Sequence, residues 1–268
     1  DNDAEGSARE LCEYARDWFP FDLHYAIEKR RGIPQARNAA LSIAMPLADF
    51  VVITDDDVEP TPGWLAELLR VQEVYQADVV AGPNPPRFIE EPPAWAVEGR
   101  FFESPRRATG ILIEKAATNN VLVRCGALER MGRLFDESLG LQGCDDSEFF
   151  RRMAKHGHRM VWADDAIVYE CIPASRTTQR WLLQRAYRIA NGLGSPELRR
   201  LDGVTGPWVF KNGLKCLARG VIHLALAVAQ RRGAVTRIHA LLQLASGVGW
   251  LTGLLGLRYR EYARVYGK

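Results

Sequence analysis

The sequence has few of the residues on which metal, redox and disulfide proteins depend. Its 268 residues contain five cysteines, an odd number, and no two of them form a C-x-x-C pair. This absence argues against a zinc or thioredoxin-type centre and favours a reducing compartment. The five histidines follow no metal-ligand spacing either.

A glycine-rich phosphate loop is also missing from the first part of the sequence. Nucleotidyl-transferring enzymes use such loops to hold phosphates, so its absence weighs against that reaction class. The composition is otherwise ordinary, with 47% apolar and 25% charged residues. These values exclude a disordered or collagen-like chain, and the length suits one α/β domain or a smaller domain with an appendage.

Acidic residues are scarce towards the C-terminus. From Arg199 onward, twelve lysines and arginines stand against Asp202 and Glu261 alone, a net charge of +10. The whole chain carries +2, so its first 198 residues carry −8. This asymmetry predicts two parts with different partners, residues 1–198 and residues 199–268, and the glycine- and proline-rich segment 191–207 marks the candidate boundary.

Strand and helix signals alternate through residues 1–198. Apolar runs predict strands at 23–27, 50–53, 78–81, 120–123, 160–162 and 167–169. Helical spacing predicts helices at 7–18, 35–44, about 145–155 and 179–190. Thr61 is expected to cap one further helix, with Pro62 at its first position.

This alternation predicts an α/β fold with a mostly parallel, doubly wound sheet and helices on both faces. The uninterrupted run 50–53 is typical of a strand buried on both faces of a parallel sheet. In such sheets ligands bind at the carboxyl ends of the strands.

The basic part contains an apolar run, 240–257, of 18 residues without a charge. As a helix it would be about 27 Å long, which is borderline for crossing a bilayer. Its four glycines disfavour a regular water-soluble helix, and basic residues beside apolar segments suit an anionic membrane surface. We expect peripheral or monotopic membrane attachment and no nucleic-acid binding; a water-soluble helical cap over the sheet is the alternative.

Two groups of acids carry the chemistry. The first acidic run, Asp55, Asp56 and Asp57, follows the apolar strand 50–53, where mutual repulsion would raise the pKa values of these acids unless a cation or hydrogen-bond donors compensate. Hard carboxylate oxygens suit Mg²⁺ or Mn²⁺ bound together with phosphates, and a solvated acidic turn or a helix entry is the alternative. The second acidic pair, Asp145 and Asp146, begins a predicted helix, where N-capping explains only one of the two.

Four segments in order resemble family 2 glycosyltransferases with the GT-A fold. The first acidic run within 53–60 resembles the family's D-x-D segment, and 36–40, which includes Arg37 and Asn38, resembles its A-R-N segment. Residues 143–149, with the second acidic pair, resemble its E-D-x-D/E segment, and Asp1-Asn2-Asp3 resembles the end of its second strand. The resemblance also implies that the family's first strand and helix are missing here.

Carried over residue by residue, the resemblance implies a nucleotide-sugar site. Asp55 and Asp56 would contact the ribose and diphosphate of the donor, and Arg37 would line its pocket. Asp1 or Asn2 would face the nucleobase.

The resemblance also implies the catalytic groups. Asp57, with Asp55, would hold Mn²⁺ or Mg²⁺, and Asp146 would be the general base. Many relatives place a histidine ligand near 169–171, where this sequence reads Tyr169-Glu170-Cys171. Gln179, Arg180 and Trp181 are adjacent, unlike the Q-x-x-R-W of processive members, so we expect addition of a single sugar.

These features predict a metal-dependent, inverting glycosyltransferase. It would move one sugar from a nucleotide-diphosphate sugar, a UDP-sugar in the first instance, to a saccharide or polyprenyl-diphosphate-linked acceptor at the cytoplasmic face of the cell membrane. A base and a cation are what such a displacement requires. The alternatives are a non-catalytic, membrane-associated saccharide-binding protein with a vestigial transferase fold, and a nucleotidyltransferase.

Overall fold

The computed structural model describes residues 1–104, 106–141 and 143–259. The strands within these ranges are β1 (Phe50–Thr54), β2 (Val58–Pro60), β3 (Val79–Ala81), β4 (Pro86–Phe88), β5 (Asn120–Arg124), β6 (Met160–Trp162) and β7 (Val168–Ile172). The helices are α1 (Arg9–Arg16), α2 (Ile33–Ala44), α3 (Trp64–Tyr75), α4 (Ala94–Glu98), α5 (Cys125–Arg130), α6 (Asp145–Lys155), α7 (Gln179–Gly194), α8 (Pro196–Asp202), α9 (Gly206–Ala229) and α10 (Ala234–Leu254). Short 3₁₀ turns cover Met45–Leu47, Glu137–Leu139 and Ala174–Arg176.

The strands form two sheets. The larger has the order β1-β5-β3-β6, in which β5 runs antiparallel to β1 and β3, while β3 and β6 are parallel. The smaller has the order β2-β7-β4. Because β5 runs in the opposite direction, its first residue, Asn120, pairs with Thr54 at the carboxyl end of β1.

Helices cover both faces of the larger sheet, as the sequence predicts. Side chains alternate along β3 and β5: Val79 and Val121 pack towards Phe149 of α6, whereas Val80 and Leu122 pack towards Leu68 of α3. These side chains are almost completely buried. The sheet therefore holds the start of α6 at a fixed position beside the carboxyl end of β1.

The α/β class is confirmed, but the strand directions differ from the prediction. Antiparallel pairs outnumber parallel ones among the described strands. The expectation for 50–53 was wrong, because β1 lies at the edge of the described sheet and only Val51 of the strand is buried. The apolar run 50–53 therefore indicated a strand, but neither complete burial of that strand nor the direction of its neighbour.

Two local predictions also fail. Residues 23–27 form no strand: two hydrogen bonds, from Asp1 N to the carbonyl of Ala26 (2.8 Å) and from Glu28 N to the carbonyl of Asp1 (2.8 Å), join them to the first residue, and regular strand pairing does not continue from there. Thr61 does not cap a helix: its hydroxyl donates to the carbonyl of Ile167 (2.9 Å), and α3 begins after Gly63.

The last helices form three successive layers, α7, α10 and α9. A Cβ atom at Gly253 of α10 would lie 2.2 Å from the carbonyl oxygen of Asn191 in α7, and one at Gly249 would lie 2.4 Å from that of Tyr187. On the other side of α10, Leu244 and Leu251 lie against glycines of α9. The glycines that were expected to weaken a helix in 240–257 instead permit close helix packing.

The glycine- and proline-rich segment 191–207 is mostly helical, because α7 continues to Gly194 and α8 follows directly. The division into parts 1–198 and 199–268 stays a prediction. Among the described residues one helix, Gly206–Ala229, is long and apolar enough to cross a membrane, judged by length and composition only. That helix is α9. The predicted run 240–257 lies instead mostly in α10, which ends at Leu254.

Candidate active site

The candidate site lies at one edge of the larger sheet. The first acidic run follows β1 directly, and the second acidic pair forms the beginning of α6. Asn120 lies at the same edge, because β5 starts where β1 ends. Groups that are about 90 residues apart in the sequence are thus brought together by the strand pairing.

Arg37 of α2 connects the two acidic groups. Its guanidinium donates to Oδ2 of Asp145 at 2.5 Å and lies 3.5 Å from Oδ1 of Asp55. It also lies over the ring of Phe135, 5.6 Å from the centroid. The side chain of Asp145 is only 4% exposed, so this ion pair is held inside the protein, where removal of one partner is costly.

Asp55 is perturbed by its surroundings. Loss of solvent around the carboxyl group raises the pKa of Asp55, and the neighbouring carboxylates of Asp57 and Asp56 raise it further, while Arg37 opposes this rise. A group of acids that raises its own pKa binds a cation favourably.

Asp57 is paired with Arg176, which ends the 3₁₀ turn before α7. The distance from the guanidinium nitrogen to Oδ2 of Asp57 is 2.6 Å. The backbone N–H of Cys171 donates to the Asp57 carbonyl (2.8 Å), which fixes the acidic run against β7. The adjacent Glu170 is half-buried, and burial together with the charge of Asp57 raises its pKa.

Asp146 differs from its neighbour Asp145. It is half-buried, and one of its oxygens accepts from the backbone N–H of Ser147 at 2.6 Å. Removal of the carboxyl group from solvent raises the pKa of Asp146; Asp145 and Asp55 add to the rise, and Arg37 opposes it. A raised carboxyl pKa is a property of general bases.

Asp1 and Asn2 lie near the start of α2 and contact mainly backbone. Oδ2 of Asp1 accepts from the N–H of Ala8 (2.9 Å) and the hydroxyl of Tyr25 (2.8 Å). The Asn2 amide donates to the carbonyl of Glu28 (2.8 Å), and its oxygen accepts from the N–H of Gly32 (2.7 Å). The structure shows no contact between these two side chains and the first acidic run, and their role at the nucleobase stays a prediction.

Sequence reasoning missed Arg176 and Asn120. The buried Asn120 amide donates to the carbonyls of Pro83 (3.0 Å) and Ala166 (2.7 Å) and accepts from the Trp64 indole (2.7 Å), so it ties three loops together at this edge. A polar residue at the head of the apolar run 120–123 was the available signal. No local pattern marks Arg176, because its partner is 119 residues away.

The fit to a metal ion was tested on the donor groups. Among the described residues, no three His, Cys, Asp or Glu side chains converge into a metal cage. The carboxylates of Asp55 and Asp57 have the hard oxygens that Mg²⁺ and Mn²⁺ prefer, and Mg²⁺ commonly uses one or two carboxylates together with substrate phosphates. The donor set therefore fits a cation that binds with a diphosphate, provided that Arg176 releases Asp57.

A cavity of about 410 Å³ opens beside β4, close to Glu170. It is lined by Pro83, Pro85, Pro86, Phe88, Glu103, Ser104 and Arg106. The Asn84 amide donates to Glu170 (3.1 Å), which connects the cavity wall to the acidic edge.

Comparison with solved structures identifies the fold. The crystal structure of S. aureus TarS 1–349 in complex with UDP-GlcNAc has a TM-score of 0.51 and 15% identity, covering 97% of this chain and 82% of TarS. The complex of the same fragment with UDP has a TM-score of 0.50 at the same identity and coverage. The fold is the GT-A fold of glycosyltransferases.

Comparison of sequences identifies the family. Residues 1–132 match the family described as "Glycosyl transferase family 2". The succinoglycan biosynthesis protein ExoM of Rhizobium meliloti (strain 1021) is 32% identical over 267 residues, covering 97% of this chain and 83% of ExoM. The chain therefore belongs to the family 2 glycosyltransferases, as its motifs predicted.

Proposed function

We propose that this glycosyltransferase moves one sugar from a UDP-sugar to a hydroxyl of a saccharide or lipid-linked saccharide, with inversion at the anomeric carbon. The observation that carries the proposal is the bridge of Arg37 between Asp55 and Asp145, which brings both acidic groups to one sheet edge. One group is then available for the donor and the other for the acceptor. TarS, crystallised with UDP and UDP-GlcNAc, supports this donor class.

The donor lies against the first acidic run in this proposal. Asp55 and Asp56 contact the ribose and diphosphate, Arg37 lines the pocket, and Asp1 or Asn2 faces the base. Asp57 and Asp55 would hold Mn²⁺ or Mg²⁺ together with the diphosphate, and such a cation would supply positive charge to the leaving diphosphate. Arg176 is the counter-ion of Asp57 in the protein alone and turns to the phosphates when the donor binds.

The acceptor hydroxyl is activated by Asp146. A carboxylate oxygen of Asp146 takes the hydroxyl proton while the hydroxyl oxygen bonds to the anomeric carbon. The bond from that carbon to the diphosphate oxygen breaks in the same step, which inverts the configuration. The raised pKa of Asp146 makes it a stronger base than an ordinary carboxylate, which supports this role.

In this proposal the acceptor binds in the cavity beside β4. Its wall contains Phe88, an apolar ring of the kind that packs against sugar faces, and polar groups that suit hydroxyls. ExoM is a polysaccharide biosynthesis protein, which supports a saccharide acceptor. A polyprenyl-diphosphate carrier would place the reaction at the cytoplasmic face of the cell membrane.

The test is donor turnover by the full chain. UDP release from UDP-sugars should require both a divalent cation and a saccharide acceptor, and Arg37→Lys, which keeps a positive charge beside the buried Asp145, should strongly reduce it. Arg70→Lys is the matched control, since Arg70 pairs with Glu67 on the exposed face of α3. UDP binding without turnover would support the saccharide-binding alternative, and absence of UDP binding would refute the donor site.

A further inference from the structure

Helix α9 is the outermost layer of the C-terminal helices. Its buried residues, Val209, Gly213, Gly220 and Ala227, lie on one side, where Gly213 and Gly220 face Leu251 and Leu244 of α10. The remaining sides of α9 are largely exposed in the described structure.

The second half of α9 presents an apolar patch to the solvent. We call Val221, Ile222, Leu226 and Val228 the α9 patch; their exposed fractions range from 46% to 59%. Four large aliphatic side chains are thus exposed within about two helical turns, and a concentration of exposed apolar side chains marks an interaction site on a protein surface.

Basic residues border the α9 patch along the helix. Lys215 and Arg219 precede it, and Arg231 and Arg232 follow it. The sequence has no Asp or Glu between Asp202 and Glu261. A negatively charged partner would therefore meet no repulsion from this segment.

Helical spacing places the cations and part of the patch on one stripe. At about 3.6 residues per turn, Lys211, Lys215, Arg219, Ile222 and Leu226 follow one another along the side opposite the buried glycines. Trp208, half-exposed, lies at the start of α9, and its ring packs edge-to-face on Trp250 of α10. Basic residues and aliphatic side chains on one helix face are typical of helices that lie in a membrane interface.

We propose that the exposed side of α9 docks the protein on an anionic lipid bilayer, with the helix lying in the plane of the interface. Two copies facing each other through α9 would bring their cations together without any acid to pair with, so charge complementarity favours lipid. A spanning orientation would bury Lys211, Lys215 and Arg219 in hydrocarbon.

This proposal replaces 240–257 as the membrane-facing element. The run 240–257 belongs largely to α10. This helix lies between α7 and α9 and has buried positions on both sides. Membrane docking would bring a lipid-linked acceptor to the candidate active site. This role of the docking, and not the docking itself, rests on the proposed function.

The test is flotation of the full chain with vesicles. Wild-type protein should float with vesicles of phosphatidylcholine and phosphatidylglycerol, and much less with pure phosphatidylcholine. Ile222→Glu/Leu226→Glu should lower binding to the anionic vesicles by about tenfold or more. Leu65→Glu/Leu69→Glu is the matched control, because these leucines are similarly exposed and equally spaced on α3.

Lys215→Glu/Arg219→Glu provides a second arm that leaves all apolar side chains in place, and it should also lose binding about tenfold or more. Thermal denaturation of each variant verifies the fold. The proposal is overturned if wild-type protein does not float, if both α9 variants float like wild type, or if light scattering shows a dimer that the Ile222→Glu/Leu226→Glu variant dissociates. UDP binding, measured without vesicles, tests the proposed donor site separately.

Discussion

Arg37 shows how much of the site depends on one side chain. It is 16% exposed and balances Asp145, which is buried, while remaining within reach of Asp55. A buried carboxylate without its cation is strongly destabilising, so Arg37 has a structural duty besides any contact with substrate. A lysine could not keep both contacts in the same geometry, because it offers one point charge where arginine offers a planar fork.

Asp57→Ala should weaken UDP binding in the presence of Mn²⁺ by at least about tenfold, or about 1.4 kcal/mol. The variant removes one of the two proposed carboxylate ligands. Titration calorimetry with UDP, with and without Mn²⁺, measures the effect. Glu59→Gln is the control. Glu59 lies two residues after Asp57, is exposed, and pairs with Arg87. Equal Mn²⁺-dependent affinity in Asp57→Ala and wild type would contradict the assignment.

Asp146→Asn should leave donor binding nearly intact and reduce turnover by about 10² or more, which is the scale of a lost general base. The pH profile has a definite sign. Asp146 acts deprotonated, and its pKa is raised above the ordinary 3.8, so activity should fall as the pH drops through that raised pKa. Steady-state kinetics across pH measures both effects. A variant with near-normal turnover would remove Asp146 from the mechanism.

The residues of the two acidic groups could be found from the sequence because they adjoin an apolar strand and a helix start. Only the resemblance to a family assigned both groups to one site, and the ion pairs of Arg37 with Asp55 and Asp145 were not predicted. Arg176 could not be found, because its contact with Asp57 depends on how β7 pairs with β2. Pairing across more than a hundred residues leaves no local trace.

At the level of elements, local signals located several pieces closely. The structure places α2 at Ile33–Ala44 and α6 at Asp145–Lys155, close to the predicted 35–44 and 145–155. The direction of β5 was not predictable, since both faces of a buried strand read as apolar in either orientation. The glycines of α10 were misread because helix propensity takes no account of a neighbouring helix at close range.

Gly253→Ala should destabilise the protein by about 1–3 kcal/mol, despite the higher helix propensity of alanine. Its Cβ would lie 2.2 Å from a backbone oxygen of α7, which cannot move aside as a side chain can. Gly233→Ala is the control, because no atom lies within 4 Å of its added Cβ. Urea denaturation measures both variants. Equal stabilities would show that α10 is not held closely against α7.

Over the whole molecule, the C-terminal helices complete a buried cluster of residues 1–198. Ile238 of α10 is buried in a cluster with Ala96, Phe102, Ile172 and Leu182. These partners come from α4, β7, α7 and the loop after α4, all of which lie near the acidic edge or the cavity. The change in net charge at residue 199 therefore divides the surface into an acidic and a basic part, but the interior is packed continuously across it.

A chain that ends at Pro207 should be markedly less stable than the full chain. It loses Ile238 and uncovers the remaining members of that cluster, and each buried aliphatic side chain contributes roughly 1.5–3 kcal/mol. Thermal denaturation and limited proteolysis of both chains measure the loss. If the shortened chain melts at the same temperature, residues 1–198 are an independent domain, as the composition alone predicts.

The contact of α10 with α7 has a mechanical consequence. Main-chain atoms meet main-chain atoms at Gly249 and Gly253, so no rotamer can readjust if the two helices shift. The hairpin of α9 and α10 therefore moves as one piece with α7, whose first residues follow Arg176. If α9 rests on a bilayer as proposed, the catalytic cleft stands at one height and one tilt above the lipid, and an acceptor must present its hydroxyl at that level.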